Sequence, residues 1–175
     1  MLMINQITTE ALLKLFANIR AFIFDVDGVM TDGRLWITES GESHCQMHIR
    51  DGYALQLAVK KGYRVAVVSG RSSQAVMQRL HYLGVKDVFM SVNDKVACVE
   101  QYLVQHKLSE NSVLYMGDDM PDVPVMRVVG LPACPHDAAA EVKRLAYYIS
   151  PMVGGAGCVR DVIEKTLRIQ QQWHA

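Results

Sequence analysis

Short runs rich in β-branched and aromatic residues, apolar at nearly every position, alternate along the chain with stretches whose apolar residues return every three or four positions. The runs predict strands at Ala21–Asp25, Arg64–Val68, Asp87–Met90, Val113–Met116 and, more weakly, Leu131–Ala133. A stretch such as Val65-Ala66-Val67-Val68 has no polar alternation, so both of its faces are buried, as in a parallel sheet. Helical spacing falls near Gly52–Lys60, Ser72–Leu83, Lys95–Gln105 and Pro124–Val128, with a final helix from about Val159 to Ile169. This alternation predicts an α/β fold: a Rossmann-like parallel sheet with helices on both faces. One segment departs from it. Leu35–Thr38 and His44–Ile49 flank Glu39-Ser40-Gly41-Glu42 and read as a β-hairpin closed by a Ser-Gly turn, an insert of about residues 34–50. No repeat, low-complexity segment or linker divides the sequence. Residues 1–175 therefore read as one domain with a tail over about 150–175.

The size and composition narrow the class. The chain has 175 residues, half of them hydrophobic, with a formal net charge of zero. That length supports one substantial core. Zero net charge gives no basic surface for nucleic acid. No apolar run approaches the roughly 20 residues of a membrane span, so no membrane partner is expected. The opening MLMINQITTEALLKLF lacks the basic start, long apolar stretch and small-residue site of a secretory signal, which makes a cytoplasmic location the expectation. Cys45, Cys98, Cys134 and Cys158 are widely spaced and read as free thiols of a reducing compartment. No Cys/His pair has zinc-ligand spacing.

The chemistry lies where the strands end. Ligands of open parallel sheets bind beyond the carboxyl ends of the strands. There, the first strand supplies Asp25 and Asp27, the second Ser69-Gly70-Arg71, and Val113–Met116 runs into Gly117-Asp118-Asp119-Met120-Pro121-Asp122. Five carboxylates converging on one crevice require a cation, and an all-oxygen donor set suits Mg²⁺. A calcium loop beginning at Asp25 does not fit, because Val29 and Trp36 fall where such a loop needs oxygen ligands. Asp-rich loops also serve as plain turns and helix caps. Lys95 taken alone reads as an exposed lysine at a helix start. Arg79 shares the helical stripe of Val76, Leu80 and Leu83, where it either reaches an anion or snorkels at the stripe's edge.

In their order and spacing these stretches resemble the haloacid dehalogenase superfamily of aspartate-nucleophile phosphatases: DVDGV at Asp25–Val29, Ser69 at a strand end, Lys95 before a helix and GDDMPD at Gly117–Asp122. The resemblance implies that Asp25 is the nucleophile and Asp27 the general acid and base. It places Mg²⁺ on Asp25, the Asp27 main-chain carbonyl and Asp118, with Asp119 and Asp122 orienting metal-bound water. It assigns Ser69 and Lys95 to the phosphoryl oxygens. No segment is long enough for a cap domain, so the hairpin stands in place of one.

DVDGVMTDG (Asp25–Gly33), HIRDGYA (His48–Ala54), SGRSS (Ser69–Ser73) and GGAGCVRD (Gly154–Asp161) are similar, more narrowly, to the 3-deoxy-D-manno-octulosonate 8-phosphate phosphatases of lipopolysaccharide biosynthesis. That likeness implies a small phosphorylated sugar acid as substrate. It carries substrate contacts onto Asp27, His48, Ile49, Arg50, Asp51, Gly52, Gln56, Ser69, Arg71, Arg79, Lys95 and Arg160. It also implies a homotetramer in which hairpins pack together and tails cover neighbouring sites. Gln56 stands where arginine is common in the group, and Gly155-Ala156-Gly157-Cys158 replaces a more usual Gly-Arg-Gly-Ala. Two alternatives stay open: a phosphatase for a nine-carbon sialic-acid-type sugar, and a non-catalytic binding module of the same fold.

Overall fold

The structure is a computed structural model that describes residues 7–174. Met1–Gln6, the first part of the segment judged not to be a signal, and Ala175, the end of the tail, lie outside the described residues. The chain order is α1 (Thr9–Asn18), β1 (Ala21–Phe24), β2 (Trp36–Ile37), β3 (Ser43–His44), α2 (Ile49–Lys60), β4 (Arg64–Val68), α3 (Gln74–Tyr82) and β5 (Asp87–Phe89). Then follow α4 (Lys95–His106), β6 (Val113–Met116), α5 (Val123–Met126), β7 (Leu131–Cys134), α6 (Ala140–Leu145), β8 (Tyr148–Ile149) and α7 (Cys158–Ile169). Six strands form one sheet in the order β5-β4-β1-β6-β7-β8. Every pairing in it is parallel.

Side-chain alternation along β1 divides the core. Phe22 and Phe24 face a layer that includes Phe16 of α1, Leu55 of α2, Leu80 of α3 and Val159, Val162 and Ile163 of α7. Ala21 and Ile23 face Val99 and Tyr102 of α4, Val125 of α5 and Val142 of α6. The predicted two-sided α/β sheet is the fold observed. Three elements escaped prediction. The helix α1 starts at Thr8, whose hydroxyl accepts from the Ala11 N–H. The other two, α6 and β8, span only six and two residues, too short for a period to show.

The hairpin needs a larger correction. Its second arm ends at His44 and does not run to Ile49. His48 instead caps α2, its Nδ1 accepting from the Arg50 N–H at 3.2 Å, so Ile49-Arg50-Asp51-Gly52 is the first helical turn. The helix gains more from that turn than a strand would. Asp51 there accepts from the Arg160 N–H at 2.7 Å and ties α2 to the start of α7.

The tail after β8 folds onto the loop that follows β1. The Gly155 N–H donates to the Val29 carbonyl at 3.0 Å, and the Cys158 thiol donates to the same oxygen at 3.1 Å. Gly154 is buried, and a side chain there would run into the Gly28 carbonyl and the Thr31 main chain. Gly154, Gly155 and Cys158 are thus committed to the chain's own nucleophile loop. Met152 and Val153, just before them, are exposed. Gly154→Ala should therefore lower stability by about 1–3 kcal/mol, the usual cost of overpacking against an unyielding backbone. Urea denaturation would read this as a lower midpoint, and an unchanged midpoint would show that the contact gives way freely.

Candidate active site

Asp25 follows Phe24 at the end of β1, and the Asp25 N–H still donates to Met116 of β6 at 3.0 Å, so the sheet itself fixes the residue's main chain. Its carboxylate is buried. Oδ1 accepts from the Val26 N–H at 2.7 Å, and Oδ2 lies 2.9 Å from Lys95 Nζ. Lys95 is the first residue of α4, whose start is held by Asp94 accepting from the Ala97 N–H at 3.0 Å. The ammonium is buried and also reaches Asp122 Oδ1 at 2.8 Å. The reading of Lys95 as an exposed helix lysine is therefore set aside.

Asp122 closes the short turn Met120–Asp122 after β6. Its Oδ1 accepts from Lys95 and, at 2.6 Å, from the Tyr115 hydroxyl. Its Oδ2 accepts from the Asp118 N–H at 3.0 Å and, more weakly, the Asp119 N–H at 3.4 Å. Asp118 completes the group: oxygens of Asp25, Asp118 and Asp122 all lie within 4.8 Å of one another. Gly28, with φ +77°, leaves the space that the Asp118 carboxylate fills, where any side chain on residue 28 would collide with it. Asp119 does not join them. It is exposed and caps the turn, its Oδ1 accepting from the Met120 N–H at 2.8 Å.

The electrostatics point to a missing positive charge. Burial, then Asp122, push the Asp25 carboxyl up to about 6, against the opposing pull of Lys95. Burial, then Asp122, Asp25 and Asp119, push Asp118 up to about 7. Burial works against the Lys95 ammonium, but Asp122 and Asp25 outweigh it and the group titrates above its ordinary value. Three carboxylates and one ammonium leave two negative charges, which a divalent cation would balance. Asp25 and Asp118, oxygen donors with room between them, fit Mg²⁺. The four protein donors already on Asp122 suit it to buttressing the group.

Asp27 stands at the entrance, half-exposed, with Arg71 Nη1 donating to its Oδ1 at 3.0 Å. Ser69, buried at the end of β4, accepts from the Arg71 N–H at 3.1 Å and so sets the turn that aims Arg71. Arg71 Nη2 lies 3.4 Å from Ser43 Oγ on β3, joining this loop to the hairpin. The sequence reading missed Ser43 and Tyr115. A hairpin serine carries no signal, whereas a tyrosine inside the otherwise aliphatic strand VLYM, three residues before a DD motif, does.

The remaining expected substrate residues lie elsewhere. His48, Arg50 and Arg160 line a separate cavity of about 420 Å³ with Arg168 and Lys165, and none of the Asp25 group lines it. Asp51 is buried between α2 and α7. Ile49 is exposed. Gly52 is buried against Arg79 and Leu83, where a side chain would crowd the Arg79 guanidinium. Arg79 itself lies over the Tyr82 ring at 5.7 Å. Gln56 is half-buried on α2.

An all-parallel sheet with a buried aspartate at the end of its central strand, a lysine at a helix start and a paired aspartate loop defines a phosphatase of the haloacid dehalogenase class. No protein-family model matches the chain. It is 34% identical over 156 residues to the 3-deoxy-D-manno-octulosonate 8-phosphate phosphatase KdsC of Yersinia pestis, covering 89% of this chain and 83% of that protein. The KdsC of Escherichia coli K12 is 34% identical over 87% of this chain and 81% of its own. Among solved structures, the 3-deoxy-D-manno-octulosonate 8-phosphate phosphatase of Moraxella catarrhalis, in complex with magnesium, phosphate and KDO, superposes with a TM-score of 0.91 at 26% identity over 95% of both chains. The cobalt-bound enzyme of Haemophilus influenzae superposes with a TM-score of 0.85 at 31% identity, over 90% of this chain and 92% of that one. The chain belongs to the 3-deoxy-D-manno-octulosonate 8-phosphate phosphatase family.

The carboxyl shifts fix a pH dependence. With no cation bound, the folded chain keeps protons on Asp25 and Asp118 that the unfolded chain releases near pH 4. These groups therefore lower stability as pH rises from about 4 to about 7. A cation competes with those protons. The rise in melting temperature on adding Mg²⁺ should be large at pH 8 and small at pH 5.5. A rise of equal size at both pH values would place the ion on other ligands.

Proposed function

We propose that this chain hydrolyses 3-deoxy-D-manno-octulosonate 8-phosphate to the free sugar acid and phosphate, serving lipopolysaccharide synthesis in the cytoplasm. The observation that carries the chemistry is the buried Asp25–Lys95–Asp122 array with Asp118 beside it, all of it within one chain. Family membership supports the substrate. Among the described residues no helix is long and apolar enough to cross a membrane.

Asp25 attacks phosphorus and forms an acyl phosphate as the bond to the sugar's O8 breaks. Asp27 gives its proton to that departing oxygen. Water then attacks the same phosphorus, Asp27 takes the water's proton, and the Asp25 carboxylate is released with phosphate. Asp25, Asp118 and the Asp27 main-chain carbonyl hold Mg²⁺, which when bound offsets the charge of the phosphate that an anion must approach. Lys95 and Ser69 receive phosphoryl oxygens. Asp119 sits beside the metal loop and steadies it as a cap. Arg71 meets the substrate's carboxylate, and in doing so leaves Asp27 Oδ1 free for the departing oxygen. Arg71 at the entrance also favours this sugar acid over a nine-carbon sialic-type sugar, for which an acidic residue is expected there. The complete array disfavours a non-catalytic module.

Asp25→Asn should abolish turnover in a folded protein, a loss far beyond the roughly 10²–10⁴ of a general acid. Asp27→Asn should slow single-turnover cleavage of the sugar phosphate much more than that of an aryl phosphate, whose leaving group needs little protonation. Wild-type-like rates in Asp25→Asn would end the acyl-phosphate reading, and equal losses in Asp27→Asn would move Asp27 to the metal.

The hairpin bears on assembly. Trp36 and Ile37 are 75% and 67% exposed, and Leu35, Ile49 and Tyr53 lie open beside them in sequence or in the following helix. A two-stranded hairpin is marginal by itself, and a run of exposed apolar side chains marks an interface. That surface supports a homotetramer joined through the hairpins, the assembly the family resemblance implies, in which His48, Arg50 and Arg160 serve a neighbour's far substrate end. Replacing Trp36 and Ile37 by aspartate should dissociate it, as light scattering would show. Aryl phosphatase activity should survive and preference for the sugar acid fall. A monomer with the full preference would put selection on the chain's own arginines.

A further inference from the structure

Two cavities meet at the sheet edge opposite Asp25, where β1 and β4 begin. One, of about 390 Å³, is lined in part by Arg20, Lys61, Tyr63, Arg64 and Gln170, and no carboxylate lines it. The other, of about 310 Å³, shares Gly62, Tyr63 and Arg64 with it and adds Lys86 and Asp87. Strand register brings the two arginines together. Arg64 opens β4 opposite Ala21, and its N–H donates to the Arg20 carbonyl at 3.1 Å. Arg20 is set in place by its Nη1, which donates to the Ile19 carbonyl at 2.8 Å and to Gln170 Oε1 at 3.3 Å. The same Gln170 oxygen accepts from the Tyr63 hydroxyl at 2.6 Å. Among the described residues Arg20, Lys61, Arg64 and Lys86 form no ion pair.

Helix dipoles account for part of this charge. α1, α2 and α7 end beside the first cavity, with Ile19, Lys61 and Gln170 as their last capping residues. Each carboxyl end carries about half a negative charge. Three such ends and Asp87, set against four cations, leave about one and a half positive charges unbalanced. Asp87 is also engaged elsewhere, accepting from the Tyr102 hydroxyl at 3.3 Å. The chain as a whole has a formal net charge of zero, so the excess is local. Guanidinium forks with a neighbouring ammonium match phosphate oxygens. Cavities on both sides of Arg64 suit an extended anion better than a compact one. The five residues of β4 separate Arg64 from Ser69 by about 16 Å, so an occupant here lies apart from the reacting group.

We propose that this edge is a second binding site, for a compound carrying a chain of phosphate groups. Arg64 meets the middle of the chain, Arg20 and Lys61 hold it in one cavity, and Lys86 holds it in the other. The site is independent of the reaction at Asp25.

The test titrates tripolyphosphate into metal-free protein by calorimetry at low salt, where the uncompensated carboxylates around Asp25 repel phosphate. The wild type should bind. Arg20→Gln and Arg64→Gln should each weaken binding about tenfold, the loss of charge-assisted hydrogen bonds. Circular dichroism checks that both variants are folded. Arg168→Gln, in the separate cavity between α2 and α7, should leave binding unchanged. Repeating the titration with ATP tells a free chain from one carried on a nucleoside, and binding of either that depends on Arg20 and Arg64 sustains the site. No binding of either compound, binding that survives both substitutions, or binding lost in Arg168→Gln instead overturns it. Wild-type protein without phosphatase activity overturns the proposed function alone, because the calorimetry needs no turnover.

Discussion

Lys95 is buried only because two carboxylates receive it, and those carboxylates are tolerable there only because Lys95 is present. An ammonium or carboxylate removed from water without a partner costs several kcal/mol, and deleting one partner leaves the other stranded. Asp25, Lys95 and Asp122 therefore stand or fall together. Three separate elements must meet for them to do so: the end of β1, the start of α4 and the turn after β6. Each is fixed by local chemistry that owes nothing to catalysis. β1 is anchored by β6, α4 by its Asp94 cap and the turn by the reciprocal Asp119–Asp122 capping box. The charge left over, once Asp118 is counted, is what gives the site its use for a divalent cation.

A parallel sheet suits this because it delivers several strand ends to one edge without asking any strand to bend. Phe24 lies level with Val67 on one side and Met116 on the other, so the residues just beyond them, Asp25, Val68-Ser69 and Gly117-Asp118, emerge together. Helices on both faces keep water from the strands behind. Chain economy does the rest: Gly28 and Gly154 allow the nucleophile loop, the Asp118 carboxylate and the tail to share one small volume.

The part of this that was legible in the sequence is the part set by periodicity and by charge in improbable places. Apolar runs marked five of the six sheet strands, and aspartates at two of their ends marked the crevice. The burial of Lys95 was not legible from local pattern, since a lysine at a helix start looks the same whether or not two distant carboxylates await it. His48 misled for a related reason. Its run to Ile49 fits a strand arm, but the decisive contact, Asp51 with the Arg160 N–H, joins residues more than a hundred positions apart. The division of the arginines was equally hidden, because the packing of α2 on α7, and no shared motif, brings Arg50 and Arg160 to one cavity.

The buried and the half-open parts of the site obey different rules. In the reacting half, burial makes every donor and acceptor answer to another, so a single change propagates. At the half-open entrance Arg71 and Asp27 are paired and Ser43 is an exposed hairpin residue. A residue partly in water can trade its protein partner for solvent at small cost. Gln56 on α2 and Ala156 in the tail are both only partly covered, so substitution there carries little structural cost. Changes at such partly exposed positions cost little, while the phosphoryl chemistry beneath them stays constrained by charges that cannot be moved singly.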